Sequence, residues 1–548
     1  MVDPIYFWIA TVIFVVITIY LSYLGYKRTR QGEEYLLAGR NVNPIIIGLS
    51  YGATFISTSA IVGFGGVAAI FGMSIIWLVV LNVGIGVLLA FLVFGHPVRR
   101  LGKKLGAVTF PDLMSKVYRS DFIRYFMAVV ILIGMPLYSA AVLIGGSRFI
   151  EGTLDVDFDV AMVTLSLIVA LYVAFGGMRA VMYADAFQAL VMILGMGAIL
   201  VITFSLLGGV TEANTALSNL ANDPGVPAPL AAQGMTGWTS FPEFLSQNWY
   251  FMVTTIIMGV GIGVLAQPQL IVRFMCAKDG KMLNRAIPVG GLFILLTTGV
   301  AYTVGALSNV YFMDPDNGGA LSSVIAGDRD KIMPLYIESA MPDIVVVFFL
   351  LTLLAAAMST LSSLLHALGS AAGTDLWSGI RRSRLVPEKY RRPKEDNTCS
   401  LRSNRYAAFL MIAVTLAVAF YMPNEIIAIA TSAFMGLCAS AFLPMFAAGV
   451  FIKRPSVIAA KLSLAVGALT WFIWGMFVYG SGTVETKWSG YTPVFGVCQA
   501  LFDKASVLPT PYSWIDPLFV ALPLATLMLI IGYAVDRNRK VEKEENQS

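Results

Sequence analysis

Apolar residues run along this chain in stretches longer than a soluble core needs. Stretches able to cross about 30 Å of hydrocarbon fall at 6–26, 44–71, 73–96, 121–149, 158–176, 186–208, 248–271, 286–312, 342–374, 405–422, 425–451, 456–479 and 513–535. The pattern predicts an all-α integral membrane protein with about thirteen transmembrane helices, of which 44–71 and 342–374 are unusually long. The polar connectors are short. The loop 375–404 is basic and punctuated by proline, and 209–247 is rich in Pro, Gly and Ala and too short for a core of its own.

Charge gives the direction of these helices. With the N-terminus outside, the alternate segments at 27–40, 99–124, 179, 273–285, 381–405, 453–461 and 537–543 lie inside and hold 32 of the Lys and Arg residues, against 5 outside. That bias follows the positive-inside rule and disappears if any one span is added or removed. It predicts a multi-pass protein of the cell (cytoplasmic) membrane with an external N-terminus and a cytoplasmic C-terminus. The acidic start, MVDPIY, precedes an apolar stretch followed by Lys27, Arg28 and Arg30, the reverse of a secretory leader, so the first segment is expected to stay as an anchor.

Composition narrows the classes. Of 548 residues 57% are apolar and 13% charged, about half the charge of a soluble domain, and mean hydropathy is +0.77. A net charge of +5 is too small to suggest nucleic acid. Cys276, Cys399, Cys438 and Cys498 show no metal-ligand or redox spacing.

Two helices are interrupted. The span 44–71 contains GLSYGATFISTSAIVGFGG, and five spans later 248–271 contains GVGIGVLAQPQ, with Gly259, Gly261, Gly263 and Pro268. Freed carbonyls at membrane depth are tolerated where they line a cavity or bind an ion, and a matched pair of broken helices points to a secondary transporter's site. Five is odd, so the second half enters from the opposite side. The expected division is an N-terminal helix and loop (1–43), a first five-helix repeat (44–208), an external loop (209–247), a second, inverted repeat (248–451) and two C-terminal helices with a tail (452–548). Glycines also serve close helix packing, which is the competing explanation for either helix alone.

Ionisable residues inside spans are few: Asp185 near the start of 186–208, His366 in 342–374, and Arg148 near an outer end. No buried arginine is expected in the core. A proton relay is thinly supported, whereas neutral oxygens suit a hard monovalent cation. Ser359, Ser362, Ser363, His366 and Ser370 share one helical face, flanked by Thr360. His366 reads as a hydrogen-bonded interior histidine rather than a relay.

Four segments carry a family resemblance: ATFIS (53–57), AFGGMRAVMYADAFQ (174–188), QPQLIVRFM (267–275) and AAAMSTLSS (355–363). The chain resembles the sodium/solute symporter family, with the pantothenate, monocarboxylate and proline members among its relatives, from about residue 6 to 475. The resemblance implies the leucine-transporter-type fold, a 5+5 inverted repeat. It implies one sodium held by carbonyls of Ala53, Ile56 and Ala356 and hydroxyls of Ser359 and Thr360. A second sodium, present in some members, would use Asp185, Ser359, Ser362 and Ser363. Where proline members have an aspartate this chain has Phe55, and Val260 and Val264 replace their aromatic pair. Ala60 stands where sugar members place a glutamine. Ser57, Thr58, Ser59, Gly263 and Gln267 remain as candidate substrate contacts.

The expected function is sodium-coupled import of a small organic solute by alternating access, a carboxylate such as pantothenate or a short monocarboxylate. An amino-acid (proline-like) symporter, or a transporter-like sensor lacking a signalling domain, are the alternatives. No enzyme constellation is visible in the spans. The expected partners are the solute and the lipid bilayer, with no nucleic acid and no obligatory protein.

Overall fold

The structure is a computed structural model and describes residues 4–154, 156–222, 231–381, 401–422, 427–480 and 497–545. Among them there is helix but no strand. Eleven helices are long and apolar enough to cross a membrane. Two of these, Ser59–Leu105 and Phe158–Leu206, are each about 48 residues long, twice what a bilayer requires. Both turn back at a glycine, which together with the short helix Pro44–Phe55 gives thirteen crossings.

Those two turns are backbone devices. Gly177 sits at φ 62°, ψ −161° inside Phe158–Leu206, and Gly72 at φ 67°, ψ −152° after Phe64–Phe71, a region open to glycine alone. The carbonyls released before Gly177 are all answered. Arg405 donates Nε to Ala174 O at 3.0 Å and Nη2 to Phe175 O at 3.3 Å, while Thr29 donates to Gly176 O at 3.1 Å. A Cβ on Gly177 would stand 2.6 Å from the Tyr35 ring and 2.7 Å from the Tyr35 carbonyl. Gly177→Ala is therefore expected to cost at least about 1–3 kcal/mol from strain alone, visible as a lower melting temperature in detergent; an unchanged melting temperature would contradict it.

At Gly72 the tie comes from far along the chain. The Trp238 carbonyl accepts from Met73 N at 2.7 Å, and its indole donates to Ala69 O at 2.8 Å. Asn309 Nδ2 also donates to Ala69 O, at 2.6 Å, and its Oδ1 accepts from the Ser322 hydroxyl at 2.8 Å. The described stretch 231–247 of the connector after Gly209 thus docks on the helix bundle through the buried Trp238.

Burial sorts the helices into layers. The most buried windows belong to Asp343–Ile380 (83%), Asp121–Glu151 and Ile427–Phe451 (78% each), and Gln247–Met275 (67%). The windows of Ile5–Lys27 and Pro517–Asn538 are 22% buried, and their exposed Ile9, Val12, Val16, Leu527 and Ile530 present apolar surface of the kind lipid requires. The sites below therefore lie among the central helices.

The two interruptions fall at residues other than the glycines. The first is at Ile56, φ −87° and ψ 103°, which ends Pro44–Phe55. The second is at Gln267, φ −76° and ψ 123°, where the following proline disfavours the helical region and removes an N–H donor. The neighbouring glycines serve approach: a Cβ on Gly48 would meet Ala286 O at 2.7 Å, and one on Gly263 would meet Met435 O at 2.5 Å. The packing explanation thus holds for these glycines, while the breaks themselves are real.

Candidate functional site

The first break leaves carbonyls without helical partners, and the helix Asp343–Ser370 supplies the hydroxyls that meet them. Ser359 Oγ donates to Ala53 O at 2.9 Å and lies 3.2 Å from Ala356 O. Thr360 Oγ1 lies 3.3 Å from Ala53 O, 3.1 Å from Thr54 O and 3.4 Å from Ile56 O. The five residues expected around one cation therefore meet at one place, with Thr54 added through its carbonyl. All are buried.

Two hydroxyl hydrogens here face three break carbonyls and Ala356 O. A cage of neutral oxygens with more acceptors than donors is chemically suited to a small hard cation, since rotating either hydroxyl turns it into another oxygen ligand.

One turn towards the basic-loop face lies a second polar cluster, which corrects the expectation of an arginine-free core. Arg273 is completely buried and donates Nη2 to Asp185 Oδ2 at 2.9 Å; both side chains are 0% exposed. The same guanidinium donates Nε to Ser50 Oγ at 3.0 Å, Nη1 to Gln269 O at 2.6 Å, and Nη2 to Ser363 Oγ at 2.6 Å and to the Thr54 hydroxyl. Ser50 Oγ in turn donates to Asp185 Oδ2 at 2.7 Å. One side chain thereby joins both broken helices to the helices carrying Asp185 and Ser363.

Asp185 and Ser363 are thus brought together, but through Arg273 and the Thr54 hydroxyl, which lies 3.3 Å from Asp185 Oδ2 and 2.8 Å from Ser363 Oγ. Ser362 instead donates back to Ser359 O at 3.0 Å, and Asp185 Oδ1 has no hydrogen-bond partner among the described residues. Arg273 was missed because a hydropathy reading ends the span at 271 and assigns the charge to a loop. The helix continues to Met275. Likewise, Asp185 stands well inside its helix, which starts after Gly177 rather than at 186.

Of the candidate substrate contacts, Thr58 and Gly263 are taken up by the protein itself. Thr58 Oγ1 donates to Val142 O at 3.0 Å, and Gly263 abuts the Met435 backbone. Ser57 Oγ accepts from Ser59 N at 3.1 Å. Ser59 Oγ and Gln267 Nε2 are buried with no partner among the described residues, although Gln267 Oε1 accepts from Gln269. The segments next to both residues pack on the same helix, Ile427–Phe451.

His366 is buried, with Nε2 3.0 Å from Tyr35 O and its ring stacked at a tilt on Tyr35, 5.3 Å between centroids. It therefore occupies a hydrogen-bonded interior position. Arg148 pairs with Glu151 at 3.0 Å and covers the Phe158 ring at 3.9 Å. Both residues line a cavity of about 430 Å³ together with Asp330, Lys331 and Glu338. In the short 3-10 helix Arg329–Lys331, burial pushes the Asp330 carboxyl up to about 6 against the opposing pull of Arg329.

Sequence comparison settles the family. A profile of the sodium:solute symporter family matches residues 35–467. The chain belongs to this family. It is 26% identical over 458 residues to a sodium/pantothenate symporter of Haemophilus influenzae, covering 82% of this chain and 87% of that one. It is 25% identical over 468 residues to an osmoregulated proline transporter of Bacillus subtilis, covering 84% and 87%. A solved sodium-coupled sialic acid symporter superposes over 96% of each chain with a TM-score of 0.65 at 16% identity, which shows the same fold. This symporter-family membership makes the protein a sodium-coupled membrane transporter rather than an enzyme, with a leucine-transporter-type architecture.

Proposed function

We propose that the protein is a sodium-driven importer of a small carboxylate, with one sodium held by the carbonyls of Ala53, Ile56 and Ala356 and the hydroxyls of Ser359 and Thr360. The observation that carries this is the acceptor-rich oxygen cage at the Ile56 break. Sodium there joins Pro44–Phe55 to Asp343–Ser370, so it favours one arrangement of the first broken helix. By linkage, solute and sodium each tighten the other by the same factor.

A carboxylate suits the centre of the molecule. The chain resumes its helical course near Ser59 and again at Pro268, and helix N-termini carry partial positive charge. Ser59 Oγ and Gln267 Nε2 are unused donors close to those two starts. Arg273 contributes no net attraction, because Asp185 neutralises it. At Asp185 that guanidinium already provides the opposing charge, so a second sodium bound with Ser359, Ser362 and Ser363 competes with Arg273 for the carboxylate.

The 5+5 division at 44–208 and 248–451 and the cytoplasmic placement of the basic loops belong to the same proposal. The names of the relatives make pantothenate and proline the first two solutes to compare, with the loss of the aromatic pair at Val260 and Val264 favouring pantothenate or a short monocarboxylate.

The test is melting temperature in detergent with pantothenate, short monocarboxylates or proline, each in sodium and in choline. A carboxylate is expected to stabilise only in sodium, by about 2.7 kcal/mol at roughly one hundred times its dissociation constant. Stabilisation by proline alone would replace this reading with the amino-acid alternative. Equal stabilisation in both salts would overturn sodium coupling.

A further inference from the structure

Beyond the transport site, a cavity of about 360 Å³ opens on the face that carries the basic loops. It is lined by Arg40 and Asn41 from the first connector, Arg99 and Lys103 from the helix His96–Leu105, and Lys278 just after the inner end of the second broken helix. Met275 and Ala277 close its wall. Four cationic side chains meet there from three separated parts of the chain.

The positive-inside rule explains why this face is basic. It does not explain why two guanidinium groups stay partly unanswered. Arg40 uses Nε on Glu33 at 2.7 Å and Nη2 on Ala107 O at 2.6 Å, yet its enclosed Nη1 has no partner among the described residues. Arg99 uses Nη1 on Lys278 O at 3.1 Å, and its enclosed Nε has none.

The acids nearby are already engaged. Glu33 is the partner of Arg40, and Asp279 accepts from Met282 N at 2.9 Å as the cap of the helix Gly280–Met313. Unused guanidinium donors flanked by two ammonium groups form a receptor for a tetrahedral oxyanion, which can accept from several donors at once.

We propose that this cavity binds a phosphate-bearing anion, supplied either as a free phosphate or as the headgroup of an anionic lipid. The anion would tie the connector at 40–41 and the helix His96–Leu105 to the end of the second broken helix, so binding would also hold these three elements together.

Melting of the full chain distinguishes the sources. In detergent, inorganic phosphate is titrated against chloride at matched ionic strength; in nanodiscs, phosphatidylglycerol is compared with phosphatidylcholine. A saturable rise with phosphate that weakens about tenfold in Arg99→Gln, and weakens also in Lys103→Gln, assigns a free phosphate. A rise confined to phosphatidylglycerol and lost in the same variants assigns a headgroup. Lys103 is exposed, so its variant keeps the test open if Arg99→Gln fails to fold. No rise in either medium, or a rise equal in wild type and both variants, overturns the proposal.

Discussion

Replacing Arg273 by methionine is expected to lower stability by about 3–5 kcal/mol, read as a large drop in melting temperature and a loss of folded protein in detergent. The reason is asymmetric. Once the ion pair is buried, removing one partner leaves the other as an uncompensated charge, and that penalty exceeds the net worth of the pair. Among the described residues, Asp185 would retain the Ser50 and Thr54 hydroxyls, at 2.7 and 3.3 Å. Arg273→Met combined with Asp185→Asn removes both charges and is expected to recover a large part of the loss. If the double variant is no more stable than Arg273→Met alone, the two residues do not act as a pair.

The second large effect is on transport rather than folding. Ser359→Ala removes a hydroxyl that lies within 2.9 Å of Ala53 O and 3.2 Å of Ala356 O. A charge-assisted oxygen contact is worth about 1.5–3 kcal/mol, so sodium affinity should fall roughly tenfold to over a hundredfold. Sodium-dependent uptake is expected to be abolished at ordinary sodium concentration, with expression unchanged, and Thr360→Ala should behave similarly. Uptake in the Ser359→Ala variant with an unaltered sodium dependence would remove this residue from the site. A reduction in maximal rate with unaltered sodium affinity would place its role elsewhere in the cycle.

Much of this was legible from residue order because membranes impose coarse rules. Span length and the 32-to-5 distribution of basic residues lead to thirteen crossings; the serine face marks out one side of Asp343–Ser370, and the family resemblance selects Ser359 and Thr360 on it. What escaped depends on contacts between distant segments. Arg273 looks like the first charge of a loop until Asp185, 88 residues earlier, is brought beside it. Arg124 similarly counts as a loop charge, yet it pairs with the buried Asp375 at 3.0 Å. The break at Ile56 has no glycine or proline at that position; it follows from carbonyls that Ser359 and Thr360 answer, and those residues lie over 300 positions away. Hydropathy sees each residue alone and has no means of registering a charge cancelled by its partner.

The turn at Gly72 has a consequence in time. Its ties come through Ala69 from Trp238, 169 residues beyond that residue, and from Asn309, 240 residues beyond it. The contacts that set the inner half of the same broken helix are as remote: Arg273 lies 223 residues beyond Ser50, and Ser359 lies 306 beyond Ala53. During synthesis from the N-terminus, the second span is among the first to emerge, yet it has none of these partners until Trp238 has been made, and it lacks Asn309 and Ser359 until more than half of the protein has been made. The helix that gives the oxygen cage its carbonyls is therefore made early and fixed late.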